Sequence, residues 1–383
     1  MYKKSFSYVF DCIKKTFPFQ SIREFNIFKK NHNKIKKLLK NVINDEDFFY
    51  LIKDLLLNLK NSHTKLGWYP TKKILYNPIG YNIVYIENNF YLFDRFKRIV
   101  GKILKIDGQN INSLFIKQKK RLAKNLSSQF SNYLITKYNL LSSEFHKPAS
   151  IIINNTKEII IKREKIINQP IGKIIKAKII NKKIGYLKIL AWSGGDDTKN
   201  LIDKKINYFI KNKVKKIIID LRGNSGGDSR IAKNFAGHFF KKNVLFSIVK
   251  KRISKNNFKL KKQFSYVEPT EPYLGLPIIL LINEACFSSN EYFIAGMKDN
   301  KRAFLIGNKT GGGSGNPKKF IIPYGDKSFE LLISTWIYFR PNKMPLERNG
   351  IKPHLFIKLN LSDLTKNRDK ILELAIQKAK NNI

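Results

Sequence analysis

The stretch Leu280–Gly315, LLINEACFSSNEYFIAGMKDNKRAFLIGNKTGGGSG, decides how this chain is read. The apolar run leading into it, Pro277 to Ile282, has the length and β-branched content of a buried strand. Polar and small residues follow from Asn283 to Ser289. A helical pattern then turns Phe293, Ala295, Gly296 and Met297 toward a core. A second short strand, Ala303 to Gly307, runs into the glycine-rich turn Gly311–Gly313. A serine pair between a buried strand end and a helix start is a good place for a nucleophile. The hydroxyl is presented at the sheet edge, and the first free helix N–H groups point at whatever binds there. The pair Ser288–Ser289 can equally be a plain helix cap, and this stretch alone does not choose.

Working outward, the composition sets bounds. At 383 residues, 43% hydrophobic and 13% aromatic, the chain is long enough for two or three globular domains and is not a disordered one. No apolar run approaches the ~18 residues of a membrane span. The start, MYKKSFSYVFDCIKKTF, carries charges but no apolar core of a signal peptide. The cytoplasm is therefore the default expectation, with export or membrane association as the alternative.

The net charge is +46, from 74 Lys and Arg against 28 Asp and Glu. Such a charge favours anionic partners, among them nucleic acid and anionic membranes. The basic residues are mostly Lys, spread along the whole chain with an excess of Asn and Ile, which reads as coding bias. Bias does not explain the scarcity of acids, so a weak association with anionic surfaces remains an expectation. No zinc-finger spacing and no aromatic-glycine signature of an RNA-binding module is present. Cys12 and Cys286 are too few for a disulfide framework, and no Cys/His cluster has metal-ligand spacing, so no metal or cofactor is expected. Cys286 reads as a small buried residue rather than a nucleophile.

In chain order, residues 1–77 read as a helical N-terminal region. Its last helix, Asp45 to Leu59, follows an acidic first turn and runs into Lys60-Asn61-Ser62-His63-Thr64-Lys65-Leu66. Taken locally, His63 is a solvated or structural residue. Residues 78–178 read as a separate small module. Asn82 to Ile86 and Phe90 to Phe93 flank a turn, Val100 to Ile106 ends in the turn Asp107-Gly108, and a hairpin turns about Asn154-Asn155. This order of strands, with the run Gly101-Lys102-Ile103-Leu104-Lys105-Ile106-Asp107-Gly108, resembles a PDZ-like domain, whose sheet edge can accept an extended peptide. Residues 179–383 alternate strand and helix as an α/β core does: strand Ile184 to Leu190, helix Thr198 to Lys211, strand Lys216 to Asp220. The last exits into Leu221-Arg222-Gly223-Asn224-Ser225-Gly226-Gly227-Asp228, where glycines let backbone approach a ligand and N–H groups face an anion. It is not a phosphate-binding P-loop, because no Gly-Lys-Ser/Thr follows.

Four blocks in this order, Ile184-Gly185-Tyr186-Leu187, Asp220-Leu221-Arg222-Gly223-Asn224 with Gly226-Gly227, Asn283 to Asp299, and Gly350-Ile351 with Pro353, resemble the C-terminal processing (tail-specific) peptidase family. With the PDZ-like module the resemblance covers roughly residues 50 to 357. It implies a crotonase-like (ClpP/crotonase-type) α/β core and a nucleophile in a Ser-Ala-Ser-Glu block. Here that block is Ser288-Ser289-Asn290-Glu291, which puts the nucleophile at Ser288. The Ser/Lys branch of the family carries its base 25 residues later. That position is Gly313, and neither Lys309 nor Lys318 fits the spacing.

The Thr310-Gly311-Gly312-Gly313 turn is instead similar to the branch that includes the tricorn core protease and the nisin resistance protein. That branch takes its base from a His block at an N-terminal helix end, matched by Asn61-Ser62-His63-Thr64, and adds a Ser before the His and a Glu nearly sixty residues beyond the nucleophile. Ser62 and Glu347, which is 59 residues after Ser288, match both. The resemblance thus reverses the local reading of His63. It implies a serine endopeptidase acting on proteins or peptides, with His63 as base and Glu347 holding the imidazole through Ser62. The oxyanion hole would come from the N–H of Ser289 and one from Gly226 or Gly227. Asp299 is expected to be structural, and His354 stands where relatives usually have Asp. Two rivals stay open: a catalytically silent relative that binds peptides or apolar ligands in the same cleft, and a basic surface-binding protein on a borrowed fold. The oligomeric state is left open.

Overall fold

In the computed structural model six strands line up in the order Ile175–Ile180, Ile184–Ile189, Lys216–Asp220, Ile278–Ile282, Phe304–Gly307 and Leu355–Phe356. The structure describes every residue except 68, 71–75, 123–125, 143–146, 155–156, 166–173, 255–256, 367 and 382–383. The first two strands of this sheet pair antiparallel and all later neighbours pair parallel. The central strands are apolar on both faces because helices cover both. Ile219, Leu280 and Leu305 pack with Ile202, Phe209, Ile231, Phe235 and Phe293 of the helices Gly195–Lys211, Ser229–Gly237 and Ser289–Asp299. Ile218, Ile279, Leu281 and Ile306 face the helix Lys370–Lys380 through Ile371, Ala375 and Ala379. The class is the α/β one expected.

The helix expected from Thr198 begins at Gly195, because Gly194 supplies a left-handed cap at φ 91° and Asp196 and Asp197 suit a helix N-terminus. Two further antiparallel sheets flank the core among the described residues. One runs Leu260–Val267, Val244–Arg252, Trp336–Phe339. The other runs Lys65–Leu66, Lys327–Ile333, Lys318–Tyr324.

The N-terminal helices Tyr2–Thr16, Ile22–Lys36 and Asp45–Leu57 bury Phe6, Val9, Phe28, Phe48 and Ile52 against Ile322, Phe329 and Leu331. Residues near the start of the chain therefore share a core with the 318–333 hairpin. Between them, strands Tyr81–Ile86, Asn89–Asp94, Ile99–Ile106, Ala149–Ile153 and Lys157–Ile161 form a sheet whose own core, with Ile83, Leu92, Ile103 and Ile151, is closed by Phe115 and Ile135. Its first hairpin turns on Glu87 and Asn88 at φ 50° and 60°, the two-residue geometry that matches strand twist. Asn154 stands at φ 47° in the last hairpin. Asn155, the other residue of that expected turn, lies outside the described residues, as does His146. Among the described residues no helix is long and apolar enough to cross a membrane.

Candidate active site

The buried strand Ile278–Ile282 passes through a turn into the helix Ser289–Asp299, and Ser288 stands at the junction with φ 57° and ψ −126°. Residues with a Cβ rarely occupy that region, and strain of this kind collects at functional positions. Several groups hold it. Ser288 N–H donates to Gly313 O at 3.1 Å, and Phe287 N–H to Asn224 O at 3.2 Å. Asn290 Nδ2 donates to Asn224 O at 3.0 Å while its Oδ1 accepts from Trp192 Nε1 at 3.2 Å. The Arg222–Gly227 loop and the turn that carries Ser288 are thus fastened to each other.

His63 arrives from the other end of the chain. The helix Asp45–Leu57 is started by Asn44, whose side chain accepts from Asp47 N–H at 2.9 Å, and by three acidic residues that suit its N-terminal dipole. Beyond it, buried Asn61 accepts from His63 N–H at 3.1 Å and from Thr64 Oγ1 at 3.0 Å, which makes a tight side-chain-closed turn. Lys65 and Leu66 then pair with Leu332 and Leu331. Thr64 Oγ1 accepts from Ser334 N–H at 3.0 Å. The turn is anchored on both sides, and it sets His63 Nε2 3.1 Å from Ser288 Oγ across 225 residues.

Behind the ring, His63 Nδ1 lies 3.1 Å from Ser62 Oγ. Ser62 N–H donates to Glu347 Oε1 at 2.8 Å, and Ser314 N–H donates to Glu347 Oε2 at 3.1 Å. The structure therefore brings Ser288, His63, Ser62 and Glu347 into one chain of contacts, with Ser62 between His63 and the carboxylate. Burial, with help from the Lys65 charge, pushes His63 down to about 4, so its imidazole is a neutral acceptor at neutral pH. Burial pushes Glu347 up to about 7, against the pull of hydrogen bonds from Ser62 and Ser314.

Three groups around this chain had no role in the sequence reading. Glu291 is fully buried and accepts from Thr310 Oγ1, from Gly312 N–H at 2.9 Å and from Gly313 N–H at 2.9 Å. It fixes the glycine turn whose Gly313 carbonyl holds Ser288. A carboxylate within an otherwise buried, largely apolar helix (Glu291 to Met297) was the available signal. Phe287 lies parallel to the His63 ring, centroids 5.2 Å apart and planes 3° apart. Phe130 also stacks on Phe287, at 4.3 Å and 13°. Phe130 lies in the first turn of the helix Ser128–Leu134, whose cap Ser127 and residue Gln129 donate to the carbonyls of Gly311 and Thr310. Gly313 must be glycine here, since a Cβ would lie 2.1 Å from Phe287 Cζ and 2.4 Å from Ser62 Oγ.

The expected oxyanion donors need correction. Gly226 N–H is committed to Asn224 Oδ1 at 2.8 Å, because that fully buried amide needs its oxygen paired. Gly227, at φ 133° with Trp192 O only 2.0 Å from where a Cβ would stand, gives its N–H to Ser289 Oγ at 3.1 Å. Ser289 Oγ in turn donates to Gly227 O. Of the three, Ser289 N–H is the one with no acceptor within the chain among the described hydrogen bonds, and Gly227 N–H becomes a donor only when the Ser289 side chain turns away.

The remaining candidates are structural. Asp299 accepts from Arg340 Nε at 3.1 Å, and the Cys286 thiol is fully buried against Leu221 O. His32 stacks on Phe6, His238 faces Pro272 O, and His354 accepts from Leu305 N–H. Among the described residues no group of three or more His, Cys, Asp or Glu is placed to hold a metal ion.

Residues 183–357 match peptidase family S41. A carboxy-terminal-processing protease of Bartonella bacilliformis is 28% identical over 206 residues, 52% of this chain and 45% of that protein. The carboxy-terminal processing protease CtpB of Bacillus subtilis is 25% identical over 182 residues, 47% of this chain and 35% of its own. The matched stretches span less than half the length of these relatives. Among solved structures, mature CPAF aligns over 100% of this chain and 98% of its own, with TM-score 0.75 and 14% identity. The tricorn protease aligns over 99% of this chain and 36% of its own, with TM-score 0.53 and 14% identity. At such identities the structures speak to the fold. The match holds Ser288 and Glu347, while Ser62 and His63 lie N-terminal to it, and over residues 183–357 this chain is similar to peptidase family S41.

Proposed function

We propose that this chain is a serine endopeptidase in which Ser288 attacks the peptide carbonyl and His63 is the general base. The observation that carries the reading is the 3.1 Å contact between His63 Nε2 and Ser288 Oγ, with Ser62 and Glu347 behind the ring. In this reading residues 1–77 are a helical region that supplies the base, 78–178 a PDZ-like domain and 179–383 a crotonase-like core. The mixed α/β sheet and the separate core of the middle module support those assignments.

Neutral His63 takes the Ser288 proton as Oγ bonds to the carbonyl carbon, and passes it to the leaving amine as the C–N bond breaks. Ser62 accepts from Nδ1–H, and its contact with Glu347 stabilises the imidazolium that forms. The carbonyl oxygen, now an anion, is met by Ser289 N–H and, once the Ser289 hydroxyl turns, by Gly227 N–H. A donor of this kind is worth about 3 kcal/mol in the transition state. Water then releases the acyl group by the same steps.

Labelling with a fluorophosphonate probe tests the assignment. Wild type is expected to label, and both Ser288→Ala and His63→Ala to lose the label. Label surviving in His63→Ala would sink the choice of base. A folded wild type that takes no label favours the silent, ligand-binding relative, which the occupied Gly227 N–H also suits.

The pH profile follows from the two shifted groups. His63 loses its proton near 4, so it is competent through the acid range, whereas Glu347 ionises only near 7. Activity is expected to rise through about pH 7, with Glu347 setting the limb. In Glu347→Gln the limb should move below pH 5 on a lower plateau, as kcat/KM against pH would show. A limb left in place by that substitution removes Glu347 from the role.

A further inference from the structure

A cavity of about 330 Å³ opens beside Ser288, and Gly227, Ser289, Ser314, Asn316 and Pro317 are among its lining residues. His63, which must reach the leaving amine, is not part of its wall. The cavity therefore lies on the acyl side and takes the side chain of the residue whose carbonyl is attacked. Its floor is one face of the sheet Leu260–Val267, Val244–Arg252, Trp336–Phe339. Register explains which side chains meet there. Ser247 stands opposite Ser265, Val249 lies between Gln263 and Tyr338, and Lys251 is opposite Trp336. Alternation along each strand points all of these the same way.

The chemistry of the lining is one-sided. Tyr338 is 3% exposed, and its buried hydroxyl is beside that of Ser247, which is 2% exposed and within its hydrogen-bonding environment. Tyr292 OH reaches Ser265 Oγ at 3.3 Å. Burial holds both phenols protonated, Tyr292 up to about 12 and Tyr338 well above its ordinary value, so each keeps a proton to give. Arg230 is paired with Asp228 at 2.6 Å, which leaves Lys233 and Lys251 as cations of the lining without a carboxylate partner among the described residues. No Asp or Glu lines the cavity. At this volume size does not select between side chains, so polarity must. Two lysines facing a cavity with no carboxylate of its own favour an anionic side chain inside it.

Resting on the peptidase reading, we infer that this cavity selects a carboxylate side chain, Asp or Glu, on the acyl side of the scissile bond. The carboxylate is balanced by Lys233 and Lys251, in a lining that has no carboxylate of its own. The net charge of +46 acts in the same direction, drawing acidic segments toward the site.

The test is cleavage of a peptide library derived from a whole proteome, with cut sites read by mass spectrometry. It is followed by kcat/KM on peptides differing only in Glu, Gln, Leu or Lys at the acyl position. Glu is expected to exceed Gln and Leu by at least about tenfold. Lys233→Gln with Lys251→Gln, which removes both charges and keeps side chains of similar length, should erode the Glu preference by about tenfold. Lys233→Glu with Lys251→Glu should turn the preference toward Lys. Cut sites after apolar or basic residues, or a Glu preference untouched in both variants, overturn the inference and leave the peptidase intact. A protein whose Ser288 labels but which cuts no acidic site overturns it as well. Absence of both labelling and cleavage overturns the peptidase reading and this inference with it.

Discussion

Alanine at Ser288 is expected to lower kcat by on the order of 10⁶-fold, and alanine at His63 by a similar factor. The double variant should be no slower than either single one. The physical reason is that the 3.1 Å contact makes one device of the two residues: an unactivated hydroxyl and a base with no proton to take are equally idle. Catalysis left in all three variants comes from binding and from the Ser289 N–H, which none of them removes. Single-turnover hydrolysis of one peptide by the three variants decides the matter. A double variant whose loss is the product of the single losses would show that Ser288 and His63 act independently, contrary to the geometry.

Removing the Glu291 carboxylate is the second large effect, although that residue touches no reacting atom. It accepts from Thr310 Oγ1 and from the N–H groups of Gly312 and Gly313, all buried. Glu291→Ala leaves three buried donors unpaired at about 1–3 kcal/mol each, so a loss of at least about 3 kcal/mol of stability is expected. The turn it releases carries the Gly313 carbonyl that holds Ser288 N–H, and a displacement of about 1 Å at such a centre costs roughly 10²-fold in rate.

Glu291→Gln separates charge from shape. Burial raises the wild-type carboxyl from its ordinary 4.5 to about 8. Its protonation therefore favours the folded state fully below about 4.5, and that contribution disappears as pH rises through about 8. The stability advantage of wild type over Glu291→Gln should shrink across this window in urea melts at pH 5 and pH 8. An advantage that grows with pH would mean that the carboxylate is held ionised by its three donors.

How legible was the site? Ser288 stood out because a buried strand, a polar turn and a helix start occur within a dozen residues, and each has a local pattern. His63 had no such signal. Locally it is a histidine after a helix end, and only the resemblance of Asn61-Ser62-His63-Thr64 to a family block raised it. Its placement depends on Lys65 and Leu66 pairing with residues 331 and 332, a register that no window around His63 contains. Gly226 was misjudged for a related reason. A glycine-rich loop advertises free N–H groups, but whether they stay free depends on Asn224 two residues away and on Ser289 some sixty residues on.

By itself the sequence determined the α/β alternation from about residue 180, the strand–turn–helix that carries Ser288, the hairpins of the middle module and the absence of a lysine base at position 313. These follow from side-chain periodicity and turn chemistry, which act within a few residues of one another. Tertiary structure alone decided which distant groups meet. Examples are Ser62 on Glu347, Phe130 stacked on Phe287, Glu291 bonded to the glycine turn, and the hydroxyl-bearing floor beside Ser288. That floor is assembled from three strands whose pairing brings residues 247, 265 and 338 to one face. Each contact lies between residues whose sequence neighbourhoods are unrelated, and packing of the whole chain is what makes them neighbours.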